Sequence, residues 1–143
     1  MVHIKDEGSS FEAPIETVWK YLQMPEDHNR THKSRNFKSK PLAENVMEMS
    51  WEANMDGSWV PLRTRITALP PVGVAIEMIE GPMAGSKFFN IYTPMGAKTG
   101  VTVVGEFTSK MIPAPQLEPA VRGFLEQVYN EDAAAIKALS TKK

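Results

Sequence analysis

His28 and His32 stand four residues apart in Asp27-His28-Asn29-Arg30-Thr31-His32. On a helix that spacing puts both imidazoles on one face, where they would hold a metal ion together with Glu26 or Asp27. Two histidines without a firm third ligand do not make a metal centre, so the expectation is no metal and no cofactor. These side chains then belong to the surface or to the mouth of a pocket, and His28 would act as a general base only if it turned inward. A second set of polar groups is carried on predicted strands: Arg63, Arg65, Glu77, Asn90, Tyr92 and Glu106. Convergent groups of these types polarise carbonyls and move protons. Strand parity, however, sets Arg63 and Arg65 opposite Leu62 and Thr64, and Glu77 opposite Ile76 and Met78, which turns most of them to solvent. Asn90 and Tyr92 share a face with Phe88 while Phe89 and Ile91 occupy the other, so both faces of that strand are expected to be covered. The sequence has no nucleophile elbow, phosphate loop, paired catalytic carboxylates or zinc motif.

Arg30, Lys33, Arg35, Lys38 and Lys40 form a basic run with no acid among them, a pattern that attracts phosphate or nucleic acid. Glu48 and Glu52 on the next predicted strand would lie opposite these bases as cross-strand pairs. The expectation is a neutralised surface and no nucleic-acid partner. The whole chain agrees: 16 Lys and Arg against 17 Asp and Glu give a formal charge of -1 over 143 residues, so no global field draws it to a polyanion. Zero cysteines exclude disulfides, thiolate metal sites and thiol catalysis. No apolar run approaches the roughly 18 residues of a membrane span, and Met1 to Ser10 has no apolar signal core. The reading is a soluble, cytoplasmic protein, monomer or homodimer, built as one domain over residues 1–143.

The elements that must position any site are well signalled. Phe11-Glu12-Ala13-Pro14 leads from an extended segment, Val2 to Phe11, into a helix whose Ile15, Val18, Trp19 and Leu22 form one apolar stripe. Pro14 suits a first helical position and Glu16 places negative charge in the first turn. Pro25, Glu26 and Asp27 are expected to open a second short helix running to about Lys33. Beyond it the period changes to two. A strand is expected near Arg35 to Lys40; then Met47, Met49, Trp51 and Ala53 alternate with polar residues. Asp56-Gly57 makes a hairpin turn, and Val60, Leu62, Thr64 and Ile66 form the apolar face of the next strand. Val74, Ile76 and Met78, then Phe88 to Thr93, then Val101, Val103 and Phe107 mark three more. Turn residues recur about every ten positions, as in an antiparallel meander, and the count is about seven strands. Pro113, Pro115 and Pro119 stand before a long amphipathic helix with Leu117, Val121, Phe124, Leu125, Val128, Ala135, Ile136 and Leu139 on its buried stripe.

This order, a strand, one or two short helices, a six-strand meander and a long terminal helix, resembles the α+β helix-grip fold of the START/Bet v 1-like (SRPBCC) superfamily. Phe11-Glu12-Ala13-Pro14 with Val18-Trp19, and Glu80-Gly81-Pro82 followed by Thr99-Gly100-Val101-Thr102-Val103, are most similar to its polyketide cyclase/dehydrase and Coq10-type branch. The resemblance runs from about Ser9 to Leu139. It implies a curved antiparallel sheet around the last helix with a hydrophobic cavity between them, holding a small hydrophobic or aromatic molecule. The loop Pro41-Leu42-Ala43-Glu44-Asn45 lacks the glycine-rich signature of the plant relatives, and the chain is shorter than lipid-transfer START domains, so a compact ligand is expected rather than a sterol. Three roles follow from the likeness: a carrier or sensor; a cyclase, aromatase or dehydratase; or a Coq10-type quinone-binding or chaperone-like interaction module.

The residues expected to line such a cavity are Met47, Met49, Trp51, Leu62, Ile76, Met78, Phe89, Ile91, Tyr92, Val103 and Phe107 from the sheet. Trp19 from the first helix and Val121, Phe124, Leu125 and Val128 from the last complete the set. Nine methionines suit either a plastic pocket or an ordinary core. Energy separates the two, because at about 24 cal/mol per Å³ an empty cavity of about 300 Å³ would cost about 7 kcal/mol, the stability of a whole domain. A cavity of that size must therefore be filled, wet or small. Gly123 inside the last helix costs about 1 kcal/mol relative to alanine, which close backbone approach or a portal would explain.

Overall fold

The computed structural model describes residues 1–24, 34–55 and 57–141. The elements in chain order are β1 (Val2–Phe11), α1 (Ile15–Leu22), β2 (Ser34–Ala43), β3 (Val46–Met55), β4 (Ser58–Leu69), β5 (Gly73–Glu80), β6 (Lys87–Met95), β7 (Lys98–Phe107) and α2 (Ala114–Thr141). The expected second short helix, with His28 and His32, lies outside the described residues. All seven strands form one antiparallel sheet in the order β1-β7-β6-β5-β4-β3-β2. Strands β2 to β7 are the meander expected from the turn residues, and β1 returns to pair with β7, Val2 opposite Phe107 and Phe11 opposite Thr99. The open sheet curves around α2, which is the helix-grip α+β architecture.

Two local readings change. Pro14 is the residue preceding α1, in an extended conformation (φ -67°, ψ 161°), and its carbonyl accepts from Thr17 and Val18 N–H; it caps the helix instead of starting it. The last helix starts at Ala114, so Pro115 and Pro119 lie within it. Pro115 sits in the first turn, where the missing N–H has no partner to lose. Glu118 and Arg122 form an exposed ion pair one turn apart on this helix, at 3.1 Å.

The convex face of the sheet is polar. Glu48 and Glu52 stand opposite Lys40 and Arg35 as expected; Arg35 reaches Glu52 at 3.3 Å, and Arg63 reaches Glu48 at 3.4 Å. Arg65 pairs with Glu77 at 3.8 Å. Of the basic run, Arg35 is thus paired with Glu52 and also lies over the Trp59 ring, 4.1 Å from its centroid, while Arg30 and Lys33 lie outside the described residues.

The concave face packs in two clusters. At one end Ile4, Met78, Met83, Phe88 and Phe107 meet Leu117, Val121 and Leu125 of α2. Phe88 stacks on Phe107 with ring centroids 5.0 Å apart. Glycine at 105 permits this, since a Cβ there would stand 2.4 Å from the Cβ of Phe88. At the other end Phe11, Ala13, Val18, Tyr21, Tyr92 and Val101 meet Ile136. Thr99, fully buried, ties this end together by donating to the Ala13 carbonyl at 2.8 Å.

Candidate functional site

Between the concave sheet and α2 lies a cavity of about 1260 Å³ whose wall draws on both clusters. Period two explains the sheet side. Met49 and Trp51 of β3 stand opposite Thr64 and Leu62 of β4, Thr64 and Ile66 stand opposite Met78 and Ile76 of β5, and Val74 and Ile76 stand opposite Asn90 and Phe88 of β6. Asn90 and Tyr92 in turn face Val103 and Val101 of β7. The helix side follows the α2 stripe from Phe124 and Leu125 through Val128 and Tyr129 to Asp132 and Ala135.

Of the residues expected from sequence, the structure brings Met49, Trp51, Leu62, Ile76, Met78, Tyr92, Val103, Phe124, Leu125 and Val128 together in this wall. The other six are placed elsewhere. Phe89 and Ile91 have the opposite parity on β6: Phe89 stands opposite Ala75 on the convex face and is 47% exposed. The inward residues of β6 are Phe88, Asn90 and Tyr92, because Phe88 fills the space over Gly105. Phe107 and Val121 are fully buried in packed core away from the wall. Met47 has the inward parity, opposite Ile66, but lies outside the wall. Trp19 stands behind it, edge-on to Tyr92 with centroids 5.9 Å apart, its indole N–H donating to the Pro71 carbonyl at 3.2 Å.

Several polar groups of the wall lie around Tyr92. Tyr92 is buried and hydrogen-bonded to Asn90. Burial, and after it the negative charge of Asp132, pushes its phenol well above the usual range, so it stays neutral and available as a donor. Asp132 accepts a hydrogen bond from the Tyr21 hydroxyl at 3.1 Å. Tyr129 stacks on Phe11, centroids 5.5 Å apart, and donates to the Ser10 carbonyl. Farther along the sheet, Thr64 is 4% exposed and its hydroxyl has no partner; the Asn90 carbonyl oxygen is likewise buried and unpaired. Buried polar atoms without partners are uncommon and mark places where a ligand or water completes the set.

The wall residues that sequence reasoning missed include Phe11, Thr64, Val74, Tyr129 and Asp132, while Asn90, expected among the polar candidates on strands, is in the wall. Thr64 was signalled by its place between Leu62 and Ile66. Tyr129 and Asp132 fall four and seven positions after Leu125, on the same helical stripe. The Gly123 question is also answered in part: a Cβ there would meet nothing within 4 Å, so close packing does not require the glycine, and it lies in the cavity wall. Among the described residues, no group of His, Asp and Glu side chains is arranged to hold a metal ion. No helix among them is long and apolar enough to cross a membrane.

No protein-family model and no curated protein sequence matches the chain. Solved structures do. The START superfamily protein from Mycobacterium smegmatis superposes with a TM-score of 0.71 at 13% identity, covering 96% of this chain and 99% of that one. The Zhui aromatase/cyclase from Streptomyces sp. R1128 gives 0.67 at 13% identity over 96% and 90%. The di-domain ARO/CYC StfQ from the steffimycin biosynthetic pathway gives 0.76 at 14% identity, covering 97% of this chain, which spans 50% of that protein's length. Element order, strand order and these superpositions agree: the chain has the helix-grip fold of the START/Bet v 1-like superfamily.

Proposed function

We propose that the protein binds a small hydrophobic or aromatic molecule in the cavity between the sheet and α2, as a carrier or sensor. The observation that carries this reading is the cavity itself, about 1260 Å³ with a mainly aliphatic, aromatic and methionine wall. At about 24 cal/mol per Å³, an empty sealed void of that size would cost several times the stability of a domain. It is therefore hydrated or occupied, and displacing water from apolar surface returns about 25 cal/mol per Å². The aromatic end formed by Phe11, Tyr92 and Tyr129 offers ring faces and edges for stacking. Tyr92, held neutral, and Asn90 orient a bound molecule by hydrogen bonds and not by charge. The open surroundings of Gly123 provide a way in.

A cyclase- or dehydratase-like enzyme is the second reading, favoured by the convergence of Asn90, Tyr92 and Asp132 and by the likeness in fold to proteins named as aromatase/cyclases. A phenol pushed up by burial is a proton donor, not a base, so any such chemistry would use Tyr92 as an acid or an electrophilic hydrogen bond. Turnover abolished by Tyr92→Phe with binding retained would favour the enzyme.

Titration with the neutral dye Nile red tests the binding reading. Saturable, blue-shifted fluorescence is expected for the native protein, weakened at least about tenfold in the cavity-filling variant Ile76→Trp. Equal binding by a folded Ile76→Trp protein would place the dye elsewhere and refute the reading.

A further inference from the structure

Four of the large apolar side chains exposed among the described residues, Leu42, Leu69, Val72 and Met95, stand at one end of the sheet. The antiparallel order puts them there, because the β2–β3, β4–β5 and β6–β7 turns all close that end. Successive tips are two strands, about 10 Å, apart. The Ala68 N–H, donating to the Asn45 carbonyl at 2.8 Å, ties the first tip to the second. Prolines extend the apolar surface: Pro41, Pro70, Pro71 and Pro94 are all exposed. Across Pro41 to Asn45, Leu69 to Val72 and Pro94 to Lys98 the only charged residues are Glu44 and Lys98. None of these residues lines the cavity.

The central turn has little left to offer water. Pro70 and Pro71 have no N–H, and the Val72 N–H donates to the Leu69 carbonyl at 2.8 Å. The Pro71 carbonyl accepts the Trp19 indole N–H at 3.2 Å, and the Val72 carbonyl accepts the Tyr92 N–H at 2.7 Å. From Pro70 to Val72, then, every N–H is absent or bonded. Such a tip leaves water at little cost in lost hydrogen bonds, which is the condition for entering an apolar phase.

We propose that this end of the sheet docks on the surface of a lipid bilayer, with Leu69 and Val72 entering the headgroup boundary and Leu42 and Met95 beside them. The near absence of charge fits zwitterionic lipid. One acid and one base on the three turns, within a chain of formal charge -1, give no attraction to an anionic surface. A protein partner or a second copy fits less well. Four side chains, each about half exposed, fall short of the about 800 Å² per partner that a stable protein interface buries, and they stand on three separate tips. The surface lies outside the cavity, so its docking is independent of what the cavity holds.

The test is cosedimentation with phosphatidylcholine vesicles, alone and with phosphatidylserine added. The native protein should partition to both, no better with phosphatidylserine and undiminished by salt. Leu69→Ser combined with Val72→Ser should weaken partitioning at least about tenfold. Met95→Ser should weaken it in the same direction, so the surface is tested even if the double variant does not fold. Met111→Ser, whose side chain is 71% exposed outside these turns, should leave it unchanged. A native protein that does not sediment with phosphatidylcholine overturns the proposal, and so does binding that requires phosphatidylserine or an equal loss in Met111→Ser. A dimer in solution that the double variant dissociates would assign the surface to a second copy instead and overturn it too. Nile red titration without vesicles should be unchanged in all these variants, so ligand binding and lipid docking fail separately.

Discussion

Val121 and Val128 lie seven residues apart on α2, so both face the sheet, yet Val121 is fully buried in packed core and Val128 is half-buried in the cavity wall. Truncating each to alanine removes the same atoms from the same helix face, and the helix-propensity gain of alanine cancels in the comparison. At position 121 the lost transfer energy is about 1.6 kcal/mol for two buried carbons. A residual void of about 40 Å³ adds about 1 kcal/mol, for a total near 2.5 kcal/mol. At position 128 only about half the transfer energy is lost and no sealed void is created, because the missing methyls face space already open; the cost is about 0.8 kcal/mol. The expected gap is therefore about 1.7 kcal/mol. With a urea slope of about 2 kcal/mol per M, Val121→Ala should unfold at a midpoint about 0.8 M below that of Val128→Ala. Nile red affinity should change in Val128→Ala and stay constant in Val121→Ala. Equal midpoints for the two variants would mean that the space beside Val128 is packed, and would refute the distinction between core and cavity on which the account depends.

Thr99→Val removes the buried hydrogen bond to the Ala13 carbonyl at 2.8 Å and should cost about 1 to 3 kcal/mol in urea unfolding, with Thr99→Ser recovering most of it. Phe89→Ser, on the convex face, should leave Nile red affinity unchanged and shift stability by less than about 0.5 kcal/mol. The Tyr92 phenol is pushed above its ordinary value of 10.0, so the folded state holds this proton more tightly than the unfolded state does. Its contribution is complete below pH 10.0 and is lost as pH rises beyond it. The native protein should therefore lose stability more steeply above that pH than Tyr92→Phe, as measured by urea midpoints across the alkaline range.

Much of this fold is legible in the residues. Turn residues such as Gly81-Pro82 and Pro94 with Gly96, and alternation through Met47 to Ala53, carry the meander, while the stripe from Leu117 to Leu139 carries the long helix. The wall of the cavity was only partly legible. On β6 apolar residues occupy both parities, Phe88 and Tyr92 on one face and Phe89 and Ile91 on the other. What decides between them is non-local: Gly105 leaves room for Phe88 on the neighbouring strand, and Ala75 leaves Phe89 open to solvent. On α2 the seven-residue spacing of Val121 and Val128 gives one helical face and no indication of where packed core gives way to open space. That boundary depends on how far the curved sheet stands from the helix, a tertiary quantity with no local signal. Asp132 was hidden for a related reason, since a carboxylate on an otherwise apolar stripe reads as solvent-facing until Tyr21, from a distant helix, is seen to meet it.

Native mass spectrometry of the purified protein, compared with the same sample after denaturation, tests the central claim most directly. The account predicts a small hydrophobic species that travels with the folded chain and is lost on unfolding, or, for a protein purified empty, one-to-one uptake of Nile red weakened at least about tenfold in Ile76→Trp. A folded protein that carries no such species and takes up no neutral hydrophobic probe at any concentration would contradict it.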